Sequence, residues 1–521
     1  MYSFIASWAS LCSLLIFVSS VNAAVPDKQG ILAQLRKNGA CCTALDYFLP
    51  DKVHFNILTD AAYANSQHSF WAAQPQSLTP TCIVIPTSTQ DVSTAIAILS
   101  IANQASIRGC QFAIRGAGHT PNKGANNIDG GVTIDMQSMD QVVVSDDRKT
   151  VSIGPGNRWR NIYPKLDELN LVMVGGRASQ VGTGGLVTGG GISYFSGRYG
   201  FVCDNVKSFE VVLANSSIIT ASNTKNSDIF RALKGGSNNF GVVTRIDTAL
   251  YPQEKFWGGT IAQPITNKEL LWPFLSTLTA SANFDPYAAI IINFAWLAGV
   301  PSIVNNVIYT DSDATWPPPS LQPLDSMPKI STTIRKDALT SFTDELAATL
   351  VITTGRLNIF STLTFINDVE ATPEFLAAVF DIVDATAKEL LTVVGLIFTC
   401  SFQPIPRTIY AKSAGTGGNV LGLERFDKDF INFLFSLSWQ LPIDNARVEA
   451  ALKTAEAAIV DLAKRSGLYS EYVYLNYAAQ WQEPVKSYGA QNVQFMRGVS
   501  KKYDPNGLFQ KAVPGGFKLG I

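Results

Sequence analysis

Histidine is nearly absent from this chain of 521 residues, which holds only His54, His68 and His119. Three scattered imidazoles do not make a multi-histidine metal centre. No Cys-x-x-Cys pair occurs, which argues against a zinc site or a redox dithiol. The sequence also lacks GxGxxG and GxxxxGK, so it carries neither a Rossmann fingerprint nor a Walker loop. GxSxG and HExxH are missing too, which argues against a serine hydrolase of that type and a zinc protease. Charge is scarce: 40 Lys and Arg face 41 Asp and Glu, together 16% of the residues. No dense basic cluster is available to neutralise a run of phosphates, so nucleic acid is excluded as a partner. The balance gives no electrostatic reason to expect an acidic membrane or a polyanion either. A small, rather apolar substrate fits better.

Apolar material, by contrast, is ample at 46%. The chain is too long for one core, which predicts more than one domain. The apolar run Phe4 to Val18, followed by small residues up to Ala24, reads as a signal peptide over 1–23. An uncleaved anchor is the alternative, and either form enters the secretory pathway. Beyond Cys12 six cysteines remain, Cys41, Cys42, Cys82, Cys110, Cys203 and Cys400. In an oxidising compartment they permit disulfides, and one of Cys41 or Cys42 is expected to bond to Cys82 or Cys110. Asn215-Ser216-Ser217 is a glycosylation sequon at an expected turn after a strand.

The strand Cys82 to Ile85 is stopped by Pro86. Ser88 with Asp91 three residues on predicts a capped helix, with Val92, Ile96, Leu99 and Ala102 at helical spacing. Phe112 to Ile114 is the next strand, and it feeds the loop Arg115-Gly116-Ala117-Gly118-His119. Further strands are expected at Thr133 to Asp135, on both sides of Asp146-Asp147, and at Phe209 to Leu213. Apolar strands such as Ile290 to Ile292, and helices around Glu370 to Lys388 and Ala446 to Lys464, mark a second α+β region.

Three glycine-rich loops interrupt the first 250 residues, and glycine weakens elements unless backbone must turn sharply or approach something closely. Exposed backbone N–H groups suit the pyrophosphate of a dinucleotide, without any lysine. His119 closes the first loop. A lone histidine is more often structural, yet a neutral imidazole is a competent nucleophile towards an electrophilic cofactor methyl.

These residues carry a family resemblance. Arg115-Gly116-Ala117-Gly118-His119, Gly182-Thr183-Gly184-Gly185 with Gly189-Gly190-Gly191, Arg198-Tyr199-Gly200, Gly235 to Gly241, Asn476-Tyr477, and Tyr503-Asp504-Pro505-Asn506 together resemble the berberine bridge enzyme-like FAD-linked oxidases. The likeness spans nearly the whole mature chain and is strongest to fungal, secondary-metabolite members.

The resemblance implies an α+β architecture: a PCMH-type FAD-binding domain of two α+β subdomains over 24–252 (core about 78–253), and a substrate domain with an antiparallel sheet and helices over 253–465. A C-terminal segment, 466–521, returns to the first domain. It implies FAD bound covalently through His119, with Arg115, Gly116, Ala117, Gly118, Gly182, Thr183, Gly184, Gly189, Gly190, Gly241, Val243 and Asn476 around the cofactor. Many members add a cysteinyl tether where this chain has Ala178, so one covalent bond is expected. Val181 falls at a position that governs oxygen access. The implied activity is that of a secreted, monomeric oxidase that passes hydride from a small organic substrate to flavin, with dioxygen as second substrate and hydrogen peroxide as product.

Tyr474 and Tyr477 are the catalytic candidates. Alternation would place Tyr474 and Asn476 on one strand face and Tyr477 on the other. Ser436, Ser438 and Gln440, alternating along Phe433 to Gln440, are candidates for lining the pocket. The competing readings are a flavin-containing scaffold that steers a non-redox cyclisation, and a secreted carbohydrate oxidase.

Overall fold

The structure, a computed structural model, describes residues 26–38, 40–297 and 299–521. The expected signal peptide therefore lies outside the described residues. Two helices, Lys28–Asn38 and Cys41–Phe48, come first among the described residues. The adjacent cysteines of the second helix both form disulfides, Cys41 to Cys110 and Cys42 to Cys82, with Cα–Cα distances of 5.5 and 5.9 Å. They pin the second helix to the strand Cys82–Val84 and to the segment just before the strand Phe112–Arg115.

That sheet has the order Val53–Phe55, Cys82–Val84, Val132–Asp135, Phe112–Arg115. Its last three strands run parallel. Parallel neighbours need crossovers, and Thr89–Gln104 supplies one, opened by the Ser88 and Asp91 capping box. A five-stranded antiparallel sheet follows, in the order Val142–Val144, Thr150–Ile153, Val242–Ala249, Val206–Val212, Ile218–Ser222. Val242 packs into the core of the first sheet and Val243 into that of the second. The strand after the third glycine loop thus begins at the seam between two cores.

Residues beyond 255 build a nine-stranded antiparallel sheet, whose central strands are Ala288–Leu297, Ile397–Ile405, Phe430–Trp439 and Leu357–Ile366. Alternation divides its faces. Phe433, Phe435 and Leu437 join Phe294, Phe398 and Phe402 in a core that also holds apolar side chains of the helices Lys268–Thr279, Thr372–Glu389 and Asn445–Arg465. Burying each of these rings contributes about 1.5–3 kcal/mol. The other face carries Asn432, Ser436, Thr399, Ser401 and Asn306. This polar face looks towards the glycine loops, because Tyr194 Oη donates to Asn306 Oδ1 at 2.6 Å.

Tyr469–Ser470 pairs with Leu357–Ile366, so the C-terminal segment first adds a strand to the large sheet. It then returns to the first one: Phe112 N–H donates to Ala512 C=O at 2.7 Å, and Phe509 packs on Phe112 at 6.3 Å between ring centroids. Among the described residues no helix is long and apolar enough to cross a membrane.

Candidate active site

His119 leaves the strand Phe112–Arg115 through Gly118, whose φ is +69°. A Cβ at Gly118 would lie 2.8 Å from Phe70 and 2.9 Å from Arg115 Nε, so both conformation and space require glycine. The imidazole stacks on the Trp71 indole, with centroids 4.4 Å apart and planes 4° from parallel. Trp71 is itself held by three bonds: its N–H to Gly118 C=O at 3.1 Å, its C=O from Gly355 N–H at 2.8 Å, and its indole N–H to Thr353 Oγ1 at 3.1 Å. His119 Nε2 is buried with no hydrogen-bond partner among the described residues. Burial, with Arg158 adding to it, pulls this imidazole down to about 3. It is therefore neutral near neutral pH and keeps a nucleophilic lone pair.

Arg158 ties the first two glycine loops together. It donates to Ala117 C=O at 2.8 Å and to Gln180 C=O at 2.6 Å. Cβ atoms at Gly116 and Gly184 would both press on Pro155 C=O, at 3.2 and 3.1 Å, and one at Gly182 would meet the Ala117 methyl at 2.5 Å. The loops touch backbone to backbone. Thr183 spends its hydroxyl on Gly154 C=O at 3.1 Å, which leaves the glycine backbone around it as the surface available to a cofactor. Gly185 is exposed, with nothing within 4 Å of an added Cβ.

The expectation of a strand at 474–477 is corrected: Leu475–Tyr477 forms a 3-10 turn. The turn brings Tyr474 and Tyr477 together edge to face, 4.9 Å between centroids, where alternation would have separated them. Their surroundings differ. Tyr474 is buried, and its oxygen accepts from Ile192 N–H at 3.0 Å and from Asn476 Nδ2 at 3.1 Å. Burial pushes its phenol well above the usual value. Tyr477 is partly exposed, and its oxygen accepts from the Arg177 guanidinium at 2.6 Å. Its ring approaches Phe360, which in turn lies against Trp71. His119, Trp71, Phe360 and Tyr477 form one aromatic wall.

Asn476 also donates to Leu186 C=O at 3.1 Å. Its amide fills the place a side chain at Gly189 would need, so the C-terminal turn and the second glycine loop fit only together. Gly190 lies beside Leu421 and the Tyr474 ring. Gly241 packs against Val211 and Val212, and Val243 sits at the core seam.

Arg115 stands at the head of the first glycine loop. Its guanidinium is buried, paired with Asp135 at 3.2 Å, bonded to Ser66 and Ser69, and seated over the Phe70 ring at 3.7 Å. It organises the segment that leads into Trp71. Ser436 is half-buried and Ser438 buried on the polar sheet face, whereas Gln440 lies past the strand end and is exposed. Ala178 and Val181 flank the loop that Trp159 and Arg160 hold through backbone bonds to Val181 and Ser179. Asn215 is exposed in the turn between Val206–Val212 and Ile218–Ser222. Sequence reasoning missed Trp71, Arg158 and Arg177, since nothing local marks them.

The stacked glycine loops, the unpartnered His119 nitrogen and the facing sheet define an FAD-dependent oxidoreductase of the PCMH-type fold. Comparison with known proteins agrees. Residues 80–222 match the family model for an FAD binding domain. The chain is 35% identical to the FAD-dependent monooxygenase drtC of Aspergillus calidoustus, over 92% of this chain and 90% of that one. It is 33% identical to the FAD-dependent monooxygenase tpcD of Cochliobolus heterostrophus, over 98% and 99%. Among solved structures, a glucooligosaccharide oxidase of Acremonium strictum with 6-S-cysteinyl, 8α-N1-histidyl FAD superposes with a TM-score of 0.71 at 20% identity, covering 93% of this chain and 98% of that one. A 6-hydroxy-D-nicotine oxidase of Arthrobacter nicotinovorans gives 0.71 at 18%, covering 88% and 96%. The chain belongs to the berberine bridge enzyme-like family of FAD-linked oxidoreductases, together with these fungal FAD-dependent monooxygenases.

Proposed function

We propose that this protein is a secreted, monomeric FAD-linked oxidase that dehydrogenates a small aromatic alcohol, amine or secondary-metabolite intermediate, with its FAD tethered once, through His119. The observation that carries the reading is the buried, neutral His119 imidazole, held flat on Trp71 with its Nε2 unpartnered. FAD, when bound, supplies the two-electron acceptor for substrate hydride and its reoxidation by dioxygen to hydrogen peroxide. Ala178 at the second tether position supports a single bond, and Val181 beside it supports access for oxygen. Asn215, exposed in its turn, supports glycosylation.

The protein's own residues bind, orient and remove a proton. The wall of Trp71, Phe360 and Tyr477 suits a planar ring. Of the two tyrosines, Tyr477 takes the proton-removing role, because the residue is partly exposed and its oxygen has a cation beside it to balance an oxyanion. Tyr474, buried and bonded twice, positions the turn.

The relatives' names favour a second reading, insertion of an oxygen atom into the product. Turnover under 18O2 separates the two. The oxidase reading expects peroxide in step with product and no label in the product, and label in the product would replace it with a monooxygenase. Flavin that stays oxidised during anaerobic conversion of substrate would instead favour a non-redox cyclase.

A further inference from the structure

The polar face of the large sheet contains two buried amide oxygens that the described residues leave unused. Gln403 and Asn432 are paired across neighbouring strands, with relative exposures of 2% and 0%. Gln403 Oε1 and Asn432 Oδ1 have no hydrogen-bond partner among the described residues. The Asn432 amide nitrogen is spent on the next strand, donating to Thr362 Oγ1 at 3.0 Å, which fixes the side chain and leaves its oxygen over. A buried acceptor without a donor costs about 1–3 kcal/mol, so two side by side call for a donor from elsewhere.

Register places them relative to the reacting end. Asn432 pairs with Thr364, four residues along the strand from Phe360, or about 13 Å. Cross-strand partners share a face, so both amides stand on the face that holds Phe360 against Trp71 and Tyr477, and Asn306 under Tyr194. One end of this face is the aromatic wall, and the other offers two acceptor oxygens.

We infer that Gln403 and Asn432 recognise a hydroxyl or N–H donor on the substrate remote from the carbon that is oxidised, which makes the substrate a hydroxylated compound at least two fused rings long. This rests on the proposed function, since the aromatic wall is taken as the reacting end. Acceptor oxygens select a donor strongly, because an analogue lacking it leaves them unpaired.

The test titrates purified holoenzyme with naphthalene-2-methanol and with its 6-hydroxy derivative, following perturbation of the flavin absorbance. Wild-type protein should bind the hydroxylated probe at least about tenfold more tightly. Gln403→Met and Asn432→Leu should each bring that ratio within about twofold and leave the affinity for the unhydroxylated probe within about twofold, and Gln403→Met should leave Tm unchanged or raised. A wild-type ratio near one, a ratio kept by both variants, no perturbation by either probe, or a marked loss of Tm or failure to fold in both variants would overturn the inference. The last result would assign the two oxygens to the fold. Binding is read without turnover, so missing peroxide would count against the oxidase reading alone.

Discussion

The His119 imidazole and the Trp71 indole lie parallel to within 4°, 4.4 Å apart, although 48 positions separate them in the chain. Trp71 fixes the plane of the ring that carries the flavin in the proposed function. An aromatic pair of this kind contributes about 0.5–1.5 kcal/mol beyond its buried area, which corresponds to up to about tenfold in a rate that depends on that orientation. Trp71→Ala should slow flavin attachment about tenfold and lower Tm, while Trp71→Phe keeps attachment within about threefold. The time course of covalent flavin uptake by flavin-free protein is the measurement, and equal rates in all three proteins would remove Trp71 from this role.

Acid should destabilise the flavin-free protein through His119. The unfolded chain takes up this proton near pH 6.5, whereas the folded protein resists it down to about 3. Between those values the unfolded state binds more protons, so stability falls as pH falls, and the contribution is fully present above about pH 6.5. Thermal midpoints of flavin-free wild type and His119→Ala, compared from pH 4 to 8, should converge as pH drops. A constant difference across that range would contradict the buried neutral imidazole.

Tyr474 and Tyr477 should separate cleanly. Tyr477→Phe is expected to cut kcat by about 10²-fold or more with little change in Tm. Tyr474→Phe leaves the Ile192 N–H and the Asn476 amide without their acceptor, costing about 1–3 kcal/mol of stability, and lowers kcat less. Arg177→Met should follow the Tyr477 pattern in kcat. The reverse ranking of the two tyrosines would move the base to Tyr474.

The two disulfides close long loops, with sequence separations of 69 between Cys41 and Cys110 and 40 between Cys42 and Cys82. Chain entropy gives about 4 kcal/mol for each. Replacing either pair with alanine should lower stability by a few kcal/mol in chemical denaturation, and Cys203→Ala and Cys400→Ala, both unbridged, should leave the two bridges in place on peptide mapping.

What was legible in the sequence was local. Ser88 and Asp91 announce their helix because a cap acts over three residues, and His119 with its glycines follows a strand whose apolar pattern is short but clear. The class of cofactor was legible because several spaced motifs agree. The turn at 474–477 was not, since alternating residue types read equally as strand, and only packing against Gly189 selects the 3-10 form. Arg115 lies in the glycine motif, yet its charge is consumed by Asp135, a partner brought near by parallel strand pairing. Trp71, Arg158 and Arg177 reach the site through tertiary contacts with the loops around residues 118, 180 and 477, and no local spacing encodes such contacts.

The most direct test of the account is to precipitate the purified protein in acid, digest it and sequence the flavin-bearing peptide. The account predicts that the yellow colour stays with the denatured protein, on one peptide and one residue, His119, and that His119→Ala releases all of it. Colour released from the wild type into the supernatant, or flavin attached to any other residue, would contradict it.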